Sequence, residues 1–73
     1  MNKEQTLQLI GTIIKEHRED LGLTQEQLSV KCGVHKNRIS LIEKGEVNIT
    51  FTTLITLFAA LQIPVDKIGE FIQ

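Results

Sequence analysis

Residues 24–45 read TQEQLSVKCGVHKNRISLIEKG, two short apolar-periodic segments with Gly33 between them, and this stretch decides the fold. Thr24, Gln25, Glu26 and Gln27 have the form of a capping box: the threonine hydroxyl can accept the backbone N–H of Gln27, whose side-chain amide reaches back. A helix starts there. Leu28 and Cys32, four residues apart, share one of its faces, and Ser29 is small enough to let a second helix approach. Gly33 accepts positive φ at little cost, so the helix ends and the chain turns within three or four residues. The second helix begins near His35. Val34, Ile39 and Ile42 fall on its core side, which leaves Lys36, Asn37, Ser40, Leu41 and Lys44 opposite, and Gly45 closes it.

Helical patterns flank this unit on both sides. Leu7, Ile10, Ile14, His17 and Leu21 recur by threes and fours, widened by Leu9 and Ile13, and Gly22 follows as a stop; the pattern predicts a helix over residues 5–21. Residues 46–49 form a short loop. Thr50 then offers a cap to a helix carrying Leu54, Leu57, Phe58 and Leu61 on one face, which ends before Pro64. Proline suits a helix start, so a short fifth helix with Val65, Ile68, Phe71 and Ile72 is expected to close the domain. There is no strand pattern, internal repeat or low-complexity linker. The expected architecture is all-α, a compact five-helix bundle forming one domain over residues 1–73.

The segment resembles the helix-turn-helix of the phage repressor and Cro type, the large bacterial regulator family termed XRE. The resemblance rests on Thr24-Gln25 opening the first helix, Leu28-Ser29, Gly33 at the turn, Ile39-Ser40, Ile42-Glu43 and Gly45. It extends from Ile14 and Arg18 to Thr50, Leu54, Leu57 and Leu61. It implies a lambda-repressor-like fold whose second and third helices form the helix-turn-helix, and it implies that Arg18 and Glu43 make a partly buried structural ion pair.

The same resemblance places Lys36, Asn37 and Leu41 toward DNA base edges in the major groove, where the four base pairs differ enough to be told apart. Lys36 suits guanine O6 or N7 and Asn37 suits adenine, whereas Leu41 offers apolar contact to a thymine methyl or to another protein. Gln25, at a helix start where the dipole favours anions, is expected to hold a phosphate, with Arg38, Ser40 and Lys44 as further backbone contacts. Two histidines depart from the family. His35 stands where Ser or Thr usually caps the recognition helix, and the choice is between a looser helix start and a phosphate contact. His17, on an apolar stripe, reads as a hydrogen-bonded core residue.

Composition bounds these readings. With 73 residues, 41% hydrophobic and 23% charged, the chain has room for one core. A domain this small buries only about 60% of its unfolded surface, so packed helices or a dimer interface must stabilise it. Cys32 is the single cysteine, which excludes an internal disulfide and fits a reducing cytoplasm. No run of about 18 apolar residues and no signal-peptide pattern occurs, so membrane insertion and export are not expected. Neither zinc-type spacing nor a phosphate-cradling glycine loop is present, so no enzyme activity, metal or cofactor is expected.

Charge fits the nucleic-acid reading least well. Eight basic residues face nine acidic ones, and the isoelectric point is near 6.1, where DNA-binding domains are commonly basic. Between residues 31 and 44, however, Lys31, Lys36, Arg38 and Lys44 stand against Glu43 alone, which predicts weak non-specific binding and a modest salt slope. Specific binding then calls for a dimer. Val65, Ile68, Phe71 and Ile72 supply an apolar patch for a homodimer interface, unless they complete the intramolecular core. A two-fold dimer sets its recognition helices about 34 Å apart on a palindromic operator. The expected function is sequence-specific DNA-binding transcription regulation, as repressor or activator. The alternative is a protein-interaction module, an antitoxin binding a toxin or an adaptor, built on the same fold.

Overall fold

The computed structural model describes residues 2–64 and 66. Four helices run in order among them, α1 (Lys3–Asp20), α2 (Gln25–Cys32), α3 (Lys36–Glu43) and α4 (Phe51–Ala60), with no strand. The all-helical class holds, but the expected count of five is not matched. The fifth helix, with Val65, Ile68, Phe71 and Ile72, lies outside the described residues.

Each helix start is chemically specified. α1 begins earlier than the apolar spacing predicts because Asn2 makes a capping box: its Oδ1 accepts the Gln5 N–H at 2.8 Å, and Gln5 Oε1 accepts the Asn2 N–H at 3.1 Å. The same reciprocal pair joins Thr24 and Gln27 at the start of α2, at 3.0 and 2.8 Å. At α4 the Thr50 hydroxyl accepts the Thr53 N–H at 3.1 Å.

The helix ends decide the path. Gly33, at φ 79°, carries the turn between α2 and α3, and its N–H bonds the Ser29 carbonyl at 2.8 Å. Cys32 turns its sulfur inward to accept the Val34 N–H at 3.4 Å. After α4, Gln62 takes φ 62° without being glycine, and the Ile63 N–H returns to the Phe58 carbonyl at 2.9 Å. That reversal puts Ile63 in the core, two residues beyond the stripe that the spacing predicts.

The core gathers Ile10 and Ile14 of α1, Leu28 of α2, Ile39 and Ile42 of α3, and Leu54, Leu57 and Phe58 of α4, joined by Leu61 and Ile63. α1 packs on α3, while α2 packs on both α3 and α4. Leu21 is a correction. Its place in the α1 stripe is lost because the helix stops at Asp20, leaving it 41% exposed, while Arg18 occupies the buried face. His17 is half-buried and its Nδ1–H donates to the Ile13 carbonyl at 2.8 Å.

Where α1 crosses the end of α3, the two backbones meet. Gly11 is buried against the carbonyl oxygens of Ile42 and Glu43, and a Cβ added there would lie only 2.6 Å from the Glu43 oxygen. Gly45, at φ 72°, lies against the Gln8 backbone, so that a Cβ would stand 2.9 Å from Gln8 Cα.

Candidate nucleic-acid interface

The outward face of α3 is shaped by what its inner face buries. Ile39 and Ile42 anchor it in the core, and Glu43 follows them inward with its side chain 3% exposed. A bare carboxylate there would be costly, and it is compensated fully. Arg18 Nε donates to Glu43 Oε2 at 2.7 Å and Nη2 to Oε1 at 3.0 Å, a two-pronged pair between α1 and α3. Arg18 Nη1 also donates to the Leu23 carbonyl at 2.7 Å, tying down the chain just before α2. Gln25 Nε2 donates to Glu43 Oε1 at 3.0 Å, so α1 and α2 both converge on the one carboxylate of α3.

The hydrogen bond to Glu43 raises the Arg18 guanidinium above its ordinary value, against the lowering effect of burial. For a cation with a raised folded-state pKa, the stabilisation is complete below the unfolded value and is lost as pH rises from there through the folded pKa. Arg18 therefore adds no slope to stability through the acidic and neutral ranges.

Burial of Glu43 changes the charge reading. It is the only acidic residue of α3, and it is neutralised inside the protein. What α3 shows to solvent is Lys36, Asn37 and Leu41, continued by Lys44 at its C-cap. Leu41 is 41% exposed despite its apolar chemistry. Ser40 and Arg38 are half-buried toward the flanks, and Arg38 Nη2 donates to the Asn48 carbonyl at 3.1 Å, bracing the loop into α4.

Two residues behave differently from their sequence reading. His35 is itself the N-cap: its Nδ1 accepts the Asn37 N–H at 3.1 Å, so the start of α3 is capped by imidazole where a looser start or a phosphate contact was the expectation. That acceptor role places the ring proton of the neutral histidine on Nε2. The Gln25 side chain turns toward Glu43, leaving one amide hydrogen and the neighbouring backbone N–H groups at the α2 start for an external anion. Sequence reasoning missed the Gln25 link and the Leu23 carbonyl, because neither contact leaves a periodic mark.

Among the described residues, no group of His, Cys, Asp and Glu could hold a metal ion, and no helix is long and apolar enough to cross a membrane.

Two helices joined by a glycine turn, the second held from behind and open in front, define a helix-turn-helix DNA-binding module. A family model described as helix-turn-helix matches residues 14–68, and the chain belongs to that family, the regulators of phage repressor and Cro type. The control protein C.SmaI of Serratia marcescens is 34% identical over 61 residues, covering 84% of this chain and 73% of that protein. An uncharacterized HTH-type transcriptional regulator of Methanothermobacter thermautotrophicus is 53% identical over 34 residues, 47% of this chain. This chain spans about half of that relative's length, 49%. The restriction-modification controller protein C.Esp1396I, solved as a tetramer with its natural 35 base-pair operator, superposes with a TM-score of 0.80 at 29% identity. The match covers 89% of this chain and 86% of that one.

Proposed function

We propose that this protein is a sequence-specific transcription regulator that lays α3 in the major groove of an operator and acts as a two-fold dimer. The observation that carries the reading is the outward strip of Lys36, Asn37, Leu41 and Lys44 on a helix whose only carboxylate is buried and paired. Lys36, Asn37 and Leu41 read base edges; Gln25, Arg38, Ser40 and Lys44 hold phosphates, Gln25 through its remaining amide hydrogen and the adjacent backbone. Residues 1–73 act as one domain in the cytoplasm, paired through Val65, Ile68, Phe71 and Ile72. The likeness to C.SmaI and to the operator-bound C.Esp1396I tetramer supports a controller-type regulator over an antitoxin or adaptor.

The test is selection of duplexes from a random library, followed by mobility shifts at two salt concentrations. We expect one enriched, near-palindromic sequence, bound more weakly at high salt. Joint replacement of Lys36, Asn37 and Leu41 by alanine should abolish preference for it while the melting curve is retained. Enrichment of no sequence would overturn the reading, and sedimentation as a monomer at tens of micromolar would remove the dimer.

A further inference from the structure

We infer that Gly11, on the face of α1 that packs on α3, is a positioning residue that sets how far and at what tilt α3 projects. The inference rests on the regulator reading. α1 supports the end of α3 in two places on one face: at Gly11 by direct backbone contact, and two turns later at Arg18 through the Glu43 carboxylate. The groups facing Gly11 are main-chain atoms of Ile42 and Glu43, not flexible side chains, so they yield only if α3 moves. One turn before Gly11, Gln8 lies against Gly45 in the same way, extending the seat to the residue that closes α3. The end of the recognition helix thus rests on α1 at Gly11 and beside Gln8.

A methyl group at residue 11 would stand 2.6 Å from the Glu43 oxygen, whereas a relaxed carbon–oxygen contact is about 3.3–3.6 Å. The last turn of α3 must therefore shift by roughly 1 Å, a displacement that a well-supported site does not tolerate. Arg18 holds the Glu43 side chain on the same helix, so the end of α3 cannot slide along α1 without straining that pair. The remaining movement is outward or in tilt, which carries Leu41 with the last turn and swings Lys36 and Asn37, the polar base readers, relative to α2. Phosphate contacts to long side chains absorb such a shift; bidentate base contacts do not.

The test compares the parent protein with Gly11→Ala on two duplexes, the sequence selected by the parent from the random library and a shuffled version of it. Both are measured at one salt concentration and at a temperature where circular dichroism shows each protein fully folded. We expect affinity for the selected duplex to fall by about tenfold or more, with binding to the shuffled duplex changed by less than about twofold. A loss of stability alone would not alter that ratio in fully folded protein. An equal loss on both duplexes, or no loss on either, would overturn the inference. If Gly11→Ala does not fold in buffer, the pair of measurements is repeated in trimethylamine N-oxide, which favours the compact state. Failure to fold even there would also overturn it, since Gly11 would then have no positional role separable from stability. If the parent enriches no duplex, the regulator reading itself has failed, a different outcome visible before any variant is made.

Discussion

The Arg18 guanidinium and the Glu43 carboxylate meet across 25 residues of sequence in a two-bond pair, and the second carboxylate oxygen also receives Gln25. The pair joins the end of the recognition helix to α1, and Arg18 holds the chain before α2 through the Leu23 carbonyl. Removing one partner leaves a buried, uncompensated charge, which typically costs about 3–5 kcal/mol. In a domain this small, each kcal/mol shifts the melting temperature by about 4–8 °C. Arg18→Ala should therefore lower the melting temperature by more than about 12 °C, and an unchanged melt would contradict the pair's structural role. Replacing both residues together, as Arg18→Met with Glu43→Leu, should recover much of the loss.

The His35 cap is separable from any DNA contact by that residue. His35→Ala removes the acceptor for the Asn37 N–H and should cost about 1 kcal/mol in urea unfolding. His35→Ser restores an acceptor and should return stability to the parent level or above. Equal stability of all three proteins would mean that the imidazole bond does not hold the start of α3.

Gly33 and Gly45 both take positive φ, but only one is enclosed. Nothing lies within 4 Å of a Cβ at Gly33, so Gly33→Ala meets left-handed backbone strain alone, about 1–2 kcal/mol. Gly45→Ala adds a collision with the Gln8 backbone and should be the more destabilising in chemical denaturation. The reverse ranking would contradict the described approach of Gln8 to the α3 end.

Base readers and phosphate holders should separate in a salt titration. Lys44→Ala should weaken binding to all duplexes alike and reduce the slope of log affinity against log salt by about one. Leu41→Ala should leave the slope unchanged and lower discrimination at one position, the one whose thymine methyl it meets. A slope change in Leu41→Ala would assign it elsewhere.

Much of the local architecture was legible from residues three or four apart. The Thr24 box, the Gly33 turn, the Gly45 stop and the Thr50 cap each depend on a side chain or φ value acting on the nearest backbone, and each appears where its spacing places it. The start of α1 was misjudged although its signal is equally local, because Asn2 and Gln5 lie outside the apolar stripe. Leu21 shows the limit of periodicity: a stripe counts residues but cannot see that the helix stops at Asp20.

The sequence by itself determined that the chain is helical, where the turn between α2 and α3 falls, and that α3 turns Lys36, Asn37, Leu41 and Lys44 outward, although Ser40, expected beside them, is half-buried; these follow from hydrogen bonds and side-chain periods within one helical turn. The family resemblance already implied the Arg18–Glu43 pair; tertiary structure decided that Gln25 shares its carboxylate, that Arg18 also holds the Leu23 carbonyl, and that Gly11 lies against the end of α3. These depend on how closely two helices approach. That distance is set by the packing of the whole core, and no short spacing in the chain encodes it.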